Sequence, residues 1–344
     1  MSTRPSKLRI GVIGAGNIVK SRHLPALKQI PDVSVVAVCN STYESAEAFC
    51  REFAPEAVPY GNWAELLADS DADVVWIGTP PYLHATIAIS ALEAGKHVFC
   101  QARMAMNLSE AEEMYVAAQR HPHLVTMVCP PRRGLRGSLF MQKLLAEEYP
   151  GRTHHLRLQS LADTFIDPDA PPHWRQRDEL SGLNVLTLGI YAEVVQRWFG
   201  PITRVFAHAK TINPIRQGYE IRVPDMVTVL CRFSNGMEGV MEFSGIAPFA
   251  GPDRLEVYGH EGMLAYDFAH DEIYGGRLGD GSAKRIPIPP ELERSWSVEE
   301  NFIAAVRAPG HILPQPGFGE GVQYMQVVQA VADSIEQGRE IEIR

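Results

Sequence analysis

The first 130 residues alternate two kinds of segment, and this alternation restricts the fold more than any other feature. Short, continuous apolar runs at Leu8–Ile13, Val33–Cys39, Val74–Gly78, His97–Cys100 and Leu124–Val128 are separated by stretches of helical periodicity at 24–29, 43–53, 63–68, 84–94 and 109–120. A strand that is apolar on both faces needs cover on both faces, and helical crossovers supply it. The pattern therefore predicts an α/β fold with a doubly wound parallel sheet. Ser109, ahead of Glu110-Ala111-Glu112-Glu113, is expected to cap the last of these helices.

Beyond Pro130 the texture changes. A helix at 138–148, a strand at 153–161, a proline-rich loop at 167–172 and a long apolar helix at 180–199 lead into strand-rich stretches at 205–212, 227–234, 237–244, 255–259 and 263–267. Asn235-Gly236 between two such runs signals a hairpin. Two more helices are expected at 298–307 and 319–337. The second half reads as an antiparallel sheet with helices on one face. A length of 344 residues accommodates two domains, drawn at 1–130 for dinucleotide binding and 131–344 for substrate binding and oligomerisation.

Composition narrows the function classes. With 32 Lys+Arg against 41 Asp+Glu, the net charge of −9 argues against a nucleic-acid partner, and the local run Arg132-Arg133-Gly134-Leu135-Arg136 reads as a solvated loop. A hydrophobic content of 45% excludes general disorder. Five cysteines, an odd number without CxxC spacing, read as reduced, mostly buried thiols of a cytoplasmic protein. No signal peptide is expected, because the segment 1–7 is short and polar and glycines break the apolar run behind it. No stretch is long and apolar enough to predict a membrane span. No HxxxH, HExxH or carboxylate cluster predicts a metal.

The first apolar run ends in Gly14-Ala15-Gly16, followed by Asn17 and Ile18 at a helix start. Gly14 permits the tight turn, and Gly16 lets the backbone approach a pyrophosphate at the helix N-terminus. The third glycine of the GxGxxG pattern is replaced by Val19. At the end of the second strand, where a dinucleotide fold reads the adenosine ribose, stand Asn40 and Ser41. Neither repels a 2′-phosphate, yet 40–43 hold no Arg or Lys to attract one, although Lys20, Arg22 and Arg51 are near in sequence. The cofactor is thus NAD(P), leaning to NAD. The alternative role for Ser41 and Thr42 is to cap the following helix.

Further residues carry a family resemblance. Thr79-Pro80-Pro81-Tyr82-Leu83-His84, Ala91-Leu92-Glu93-Ala94-Gly95-Lys96-His97-Val98, Gly189-Ile190-Tyr191, Asn235-Gly236 and Ser297-Val298-Glu299-Glu300-Asn301-Phe302, with the glycine turn, resemble the Gfo/Idh/MocA oxidoreductases over nearly the whole chain. The resemblance implies an N-terminal Rossmann domain and a C-terminal α/β domain with a large, mostly antiparallel open sheet. It also implies NAD(P), a sugar or polyol substrate, and pairing into homodimers or homotetramers. Thr79, Pro80 and His84, behind the apolar run at 74–78, are candidate cofactor contacts. His84 could instead cap its helix.

The chain departs from that family at the usual Glu-Lys-Pro, where it has Gln101-Ala102-Arg103. In the helix motif Thr187 stands for the usual Asp and Tyr191 for the usual His. The usual lysine-centred assignment does not transfer. On a single helix spanning 180–199, Asn184, Thr187 and Tyr191 would fall within about 60° of one another and line a wet wall. Tyr191 is the candidate proton-transfer group, with Thr187 beside it. Arg103 either clamps a substrate anion or begins the next helix at the surface, and Gln101 either orients nicotinamide or is structural. Trp174 and Arg175 either cover a sugar and grip an anion or pack locally. Three functions stay open: an NAD(P)-dependent oxidoreductase of sugars, polyols or sugar derivatives; a redox-neutral NAD-dependent enzyme that cleaves glycosides or epimerises; and a non-catalytic NAD(P)-binding sensor.

Overall fold

The computed structural model describes residues 7–130, 135–312 and 315–343. Residues 132–134 of the basic run lie outside them. The chain divides into two compact units, Met1–Pro130 with Ser297–Val322, and Pro131–Trp296 with Gln323–Arg344.

The first unit is built on six parallel strands: β1 (Leu8–Ile13), β2 (Val33–Cys39), β3 (Val58–Tyr60), β4 (Val74–Ile77), β5 (His97–Cys100) and β6 (Thr126–Val128), ordered β3-β2-β1-β4-β5-β6. This is the dinucleotide-fold order, which reverses direction between β1 and β4 and opens a crevice at their carboxyl ends. The strands end level, with Ile13 opposite both Cys39 and Ile77. Each following residue extends the ladder by one rung: Gly14 N–H donates to Cys39 O (2.8 Å), Gly78 to Ile13 O (2.7 Å) and Gln101 to Ile77 O (3.1 Å).

Beneath this edge lies an aromatic core. Trp76 stacks on Phe99 at 3.7 Å between centroids, and Phe302 meets both rings edge-on at 5.8 and 5.6 Å. Burying a ring like that of Phe302 contributes on the order of 1.5–3 kcal/mol. Its burial explains why Ser297–Val322 belongs to the first unit, whereas the sequence reading assigned all of 131–344 to one domain.

The helix Leu108–Arg120 starts one residue ahead of Ser109. Asn107 caps it instead, its side-chain oxygen accepting from Glu110 N–H at 3.0 Å. The helical turn Val19–His23 is a π-turn running directly into Leu24–Leu27, a feature that hydrophobic spacing at 24–29 does not register.

The second unit carries β7 (Thr153–Leu161), β8 (Ile202–Lys210), the small hairpin β9 (Ile215–Arg216) and β10 (Tyr219–Glu220), then β11 (Met226–Phe233), β12 (Glu238–Ser244), β13 (Arg254–Gly259), β14 (Gly262–Asp267), β15 (Glu272–Arg277), β16 (Lys284–Ile286) and β17 (Ile341–Glu342). Nine of these form one sheet, ordered β16-β15-β14-β13-β7-β12-β11-β8-β17, with β7–β12 its parallel pair. Asn235-Gly236 turns β11 into β12, Gly236 at φ +85°. The β9–β10 hairpin turns on Gln217-Gly218, both at positive φ, and was not read from the sequence.

The long helix expected at 180–199 is two helices, Asp178–Ser181 and Leu188–Phe199. Gly182 at φ +62° ends the first, and Leu186 at φ +47° interrupts the helical path before the second begins. Asn184 therefore shares no helical stripe with Tyr191, whereas Thr187, the residue before the second helix, stands one turn from it, its carbonyl accepting from Tyr191 N–H at 3.1 Å. Among the described residues no helix is long and apolar enough to cross a membrane, and no group of three or more His, Cys, Asp or Glu side chains is placed to hold a metal.

Two histidines stitch the first unit together. Val125 N–H donates to Nδ1 of His97 at 2.9 Å, joining β5 to the entrance of β6. His84 is wholly buried, with Nε2 2.7 Å from Thr79 O and Nδ1 3.0 and 3.2 Å from the carbonyls of Arg103 and Met104. Burial pushes both imidazoles below their ordinary value of 6.5; at His84 it outweighs the three carbonyls, which pull the other way. Below 6.5 the unfolded chain binds protons that the folded chain refuses, so stability is complete above that pH and falls as pH drops through it. Thermal unfolding followed by circular dichroism should show a lower midpoint at pH 5.5 than at pH 7.5. The His97→Gln variant should show a smaller difference; an unchanged or opposite slope contradicts the assignment.

Candidate active site

The glycine turn after β1 is shaped by two close backbone approaches. Gly14 has φ +86°, and a Cβ there would lie 2.5 Å from Thr79 N. A Cβ on Gly78 would lie 2.4 Å from Gly14 O and 2.7 Å from a methyl of Val19. Val19 occupies the third position of the glycine pattern, where glycine usually allows helix and strand to pack closely. Here the space is made on the opposite side, by Gly78 at the end of β4. Asn40 completes the turn, its Oδ1 accepting from Ala15 N–H at 2.8 Å and its Nδ2 donating to Ser45 O at 3.3 Å. The residue expected to read ribose thus shapes the cradle. Thr42 caps the helix Tyr43–Phe53, which leaves Ser41 exposed at the strand end.

Three observations fit a dinucleotide in this cradle. A Cβ on Gly16 would meet nothing within 4 Å, so that side of the turn is open where a pyrophosphate approaches. Asn17 and Ile18 are exposed at the start of the helix behind it. Thr79 Oγ1 is buried with no hydrogen-bond partner among the described residues, beside Pro80. A buried hydroxyl left unsatisfied costs about 1–3 kcal/mol, which a ligand's polar atom would relieve.

After β5 the chain places Gln101, half-buried, against His23. Gln101 Nε2 contacts His23 Nε2, and His23 Nδ1 lies 2.5 Å from Glu299 Oε1, with His23 and Glu299 fully buried. Glu299 stands in the first turn of the helix Val298–Arg307, where the helix dipole favours an acid. Sequence reasoning saw Glu299 only as part of a resemblance, and nothing in the spacing tied 299 to 23. Arg103 is 1% exposed, so it is no surface residue, and the next helix begins only at Leu108. His84 spends both ring nitrogens on the chain itself rather than on a cofactor.

The second unit gathers a different set. The Tyr191 hydroxyl donates to Asp253 Oδ2 at 2.5 Å, and its ring sits edge-on to Phe268 at 4.9 Å. Thr187 is the residue preceding the helix Leu188–Phe199, and its Oγ1 lies 2.9 Å from Ser160 Oγ on β7. Asn184 is fully buried and donates from Nδ2 to Ser181 O at 2.6 Å, bracing the loop between the two helices. Trp174 and Arg175 open a short turn capped by His173, the guanidinium 4.3 Å from the indole centroid. Asp253 was missed by sequence reasoning because it stands in a Gly-Pro-Asp loop that looks like an ordinary turn.

The description "Oxidoreductase family, NAD-binding Rossmann fold" matches residues 8–128, and the GFO/IDH/MocA C-terminal domain matches 139–265. An inositol 2-dehydrogenase of Salmonella typhimurium is 30% identical over 90% of this chain and 94% of its own length. The chain belongs to the Gfo/Idh/MocA family. Among other members, levoglucosan dehydrogenase of Pseudarthrobacter phenanthrenivorans is 26% identical over 95% of this chain and 96% of that one. A levoglucosan dehydrogenase structure in complex with NADH superimposes with TM-score 0.87 at 25% identity, covering 98% of this chain and 99% of that one. An oxidoreductase domain protein from Kribbella flavida gives 0.88 at 25% identity, covering 98% and 100%. The first unit of this Gfo/Idh/MocA protein is its NAD-binding Rossmann domain.

The two glycines make separable predictions. Gly16→Val should leave the melting temperature unchanged while weakening NADH binding at least tenfold by calorimetry, because its side chain enters open space. Gly78→Ala should lower both, since its Cβ collides with backbone that cannot yield. A Gly16→Val protein that binds NADH normally would remove the cradle assignment.

Proposed function

We propose that this chain is an NAD-dependent dehydrogenase acting on a secondary hydroxyl of a neutral sugar, polyol or close derivative. The reading is carried by a Gly16 cradle open to a dinucleotide in a family whose similar members include inositol and levoglucosan dehydrogenases. NAD supplies hydride transfer when bound; the protein supplies orientation and a path for the alcohol proton.

The preference for NAD over NADP rests on residues 40–43 at the β2 end holding no Arg or Lys, and on Arg51 and Lys20, at the far end of the helix Tyr43–Phe53, being engaged with its acids. Arg51 pairs with Glu47 at 3.1 Å, and Lys20 lies 4.0 Å from Glu52. Gly14, Gly16, Asn17 and Ile18 hold the pyrophosphate side, Asn40 and Ser41 border the adenosine ribose, and Thr79, Pro80 and Gln101 border the nicotinamide half. The His23–Glu299 pair fixes the Gln101 amide, and His84 supports the Thr79 and Arg103 loops from behind.

Tyr191 exchanges a proton with the substrate hydroxyl, and Thr187 braces its helix through Ser160. Trp174 with Arg175 offers an aromatic face and a cation to a ring substrate, while Arg103 and Asn184 act from buried positions on the loops that carry the site. Ala102, where a lysine is usual in the family, favours the redox-neutral alternative as the second outcome to be tested.

The chain pairs with a second copy through the outward face of the nine-stranded sheet. There Leu230 is 54% exposed between Phe206 and Val240 on the flanking strands. Its five cysteines are free and buried, which supports a reducing cytoplasmic setting.

Incubation with NAD and a panel of cyclitols, aldoses and anhydrosugars should give steady NADH formation at 340 nm, at least tenfold faster than with NADP. Release of an aglycone at constant absorbance would replace this reading with the redox-neutral one, and neither signal would leave a binding protein. Tyr191→Phe should lower kcat by about 10²–10⁴-fold with NADH affinity intact. Leu230→Arg should reduce the mass measured by light scattering; an unchanged mass would exclude pairing through that face.

A further inference from the structure

We propose that the buried Glu299–His23 pair sets the polarity of the Gln101 amide, turning its carbonyl Oε1 outward as a fixed hydrogen-bond acceptor for the nicotinamide half of the cofactor. The inference deepens the placement of Gln101 given above and rests on it. All three residues belong to the first unit, which carries the NAD-binding Rossmann fold.

The direction of each bond follows from what each group can give. A glutamate carboxylate only accepts, so the 2.5 Å contact between Glu299 Oε1 and His23 Nδ1 puts a proton on Nδ1. In a neutral imidazole the bond made by one nitrogen decides the state of the other. Nε2 therefore keeps a lone pair, and whatever meets it must be a donor. Gln101 presents its amide Nε2 there. Because an amide is planar, its oxygen points away from the nitrogen. Gln101 is half-buried, its backbone N–H is anchored to Ile77 O at the carboxyl edge of the sheet, and its Oε1 takes no hydrogen bond among the described residues. A neutral acceptor is thus offered at that edge in one orientation.

The packing holds this order in place. His23 and Glu299 are fully buried, and the imidazole lies 5.1 Å from the Trp76 ring and 5.4 Å from that of Phe99. Turning the ring over to exchange its nitrogens would have to open the aromatic core. Glu299 enters from the first turn of the helix whose Phe302 closes the same core.

The arrangement also accounts for an amide where the family usually has an acid. A glutamate at 101 would set a second carboxylate against His23 and demand a proton on Nε2 as well. Glutamine leaves one proton on the ring and one neutral oxygen for the ligand. The nicotinamide half has two kinds of donor to give it, the carboxamide N–H and the ribose hydroxyls. Glu299 and His23 touch neither and are positioning residues.

Protein labelled with 15N-histidine and free of cofactor should show His23, identified by the signal lost in His23→Gln, with its proton on Nδ1 and none on Nε2. In Gln101→Glu the same ring should carry protons on both nitrogens. By calorimetry Gln101→Met should weaken NADH binding about threefold to tenfold, the ordinary worth of one hydrogen bond. Glu299→Gln, which lets the ring take either tautomer, should weaken it by a similar factor, and the double variant should bind no worse than Gln101→Met, because Glu299 acts through Gln101. An acetylpyridine analogue, which lacks the amide N–H, identifies the donor: carboxamide if Gln101→Met leaves the analogue's affinity unchanged, ribose if it weakens both dinucleotides alike. A wild-type His23 protonated on Nε2, or losses that add in the double variant, overturns the inference and leaves the cofactor site standing. A Gln101→Met protein that binds NADH as wild type does withdraws the placement of Gln101, and this inference with it.

Discussion

The approach of two backbones at the carboxyl edge of the parallel sheet governs the first unit. β1 and β4 deliver Gly14 and Gly78 side by side, and the tip of β1 can turn only because neither residue has a Cβ. Every other feature of the cradle follows from that closeness. Val19 packs into the space Gly78 leaves, Asn40 ties the turn to β2, and the open side of Gly16 faces outward. A dinucleotide fold needs tight packing between the first helix and the sheet, and the position of the permissive residue is negotiable provided one of the facing pair is glycine.

Around this edge the chain uses buried polar groups as spacers. His84 bridges the loops after β4 and β5, and His23 links Gln101 to Glu299 across more than 270 residues of sequence. Such groups are costly to bury unless satisfied, and each is satisfied by a partner on another segment. The consequence is rigidity: the loops after β4 and β5 are held by side chains that spend their polar atoms on the chain itself. Replacing the usual lysine by Ala102 leaves this scaffold intact while removing an ionisable group.

What the sequence disclosed divides along the same line. Strand alternation, the glycine turn and Asn235-Gly236 were legible because each is a local signal whose physical meaning depends on a few adjacent residues. The broken helix at 182–187 was not, since a leucine at positive φ looks like any leucine in an apolar run. Asn40 and His84 drew attention as polar residues near a ligand, yet their hydrogen bonds go to the backbone of other loops. Ser109 resembled a cap because it is followed by acids, but Asn107 reaches the same N–H from the geometrically correct place. The Tyr191–Asp253 hydrogen bond was invisible, because its two partners stand 62 positions apart.

The tyrosine in place of the usual histidine is intelligible once Asp253 is included. An imidazole can hold a proton near neutral pH unaided, whereas a phenol needs either a cation to favour its anion or a carboxylate to take the proton onward. These two solutions impose opposite electrostatics. A cation draws anionic substrates and penalises a neighbouring acid, while a carboxylate relay repels anions and suits neutral polyols. The Tyr191 hydroxyl donates to Asp253 Oδ2 at 2.5 Å, so a carboxylate is a neighbour of this phenol within its own unit.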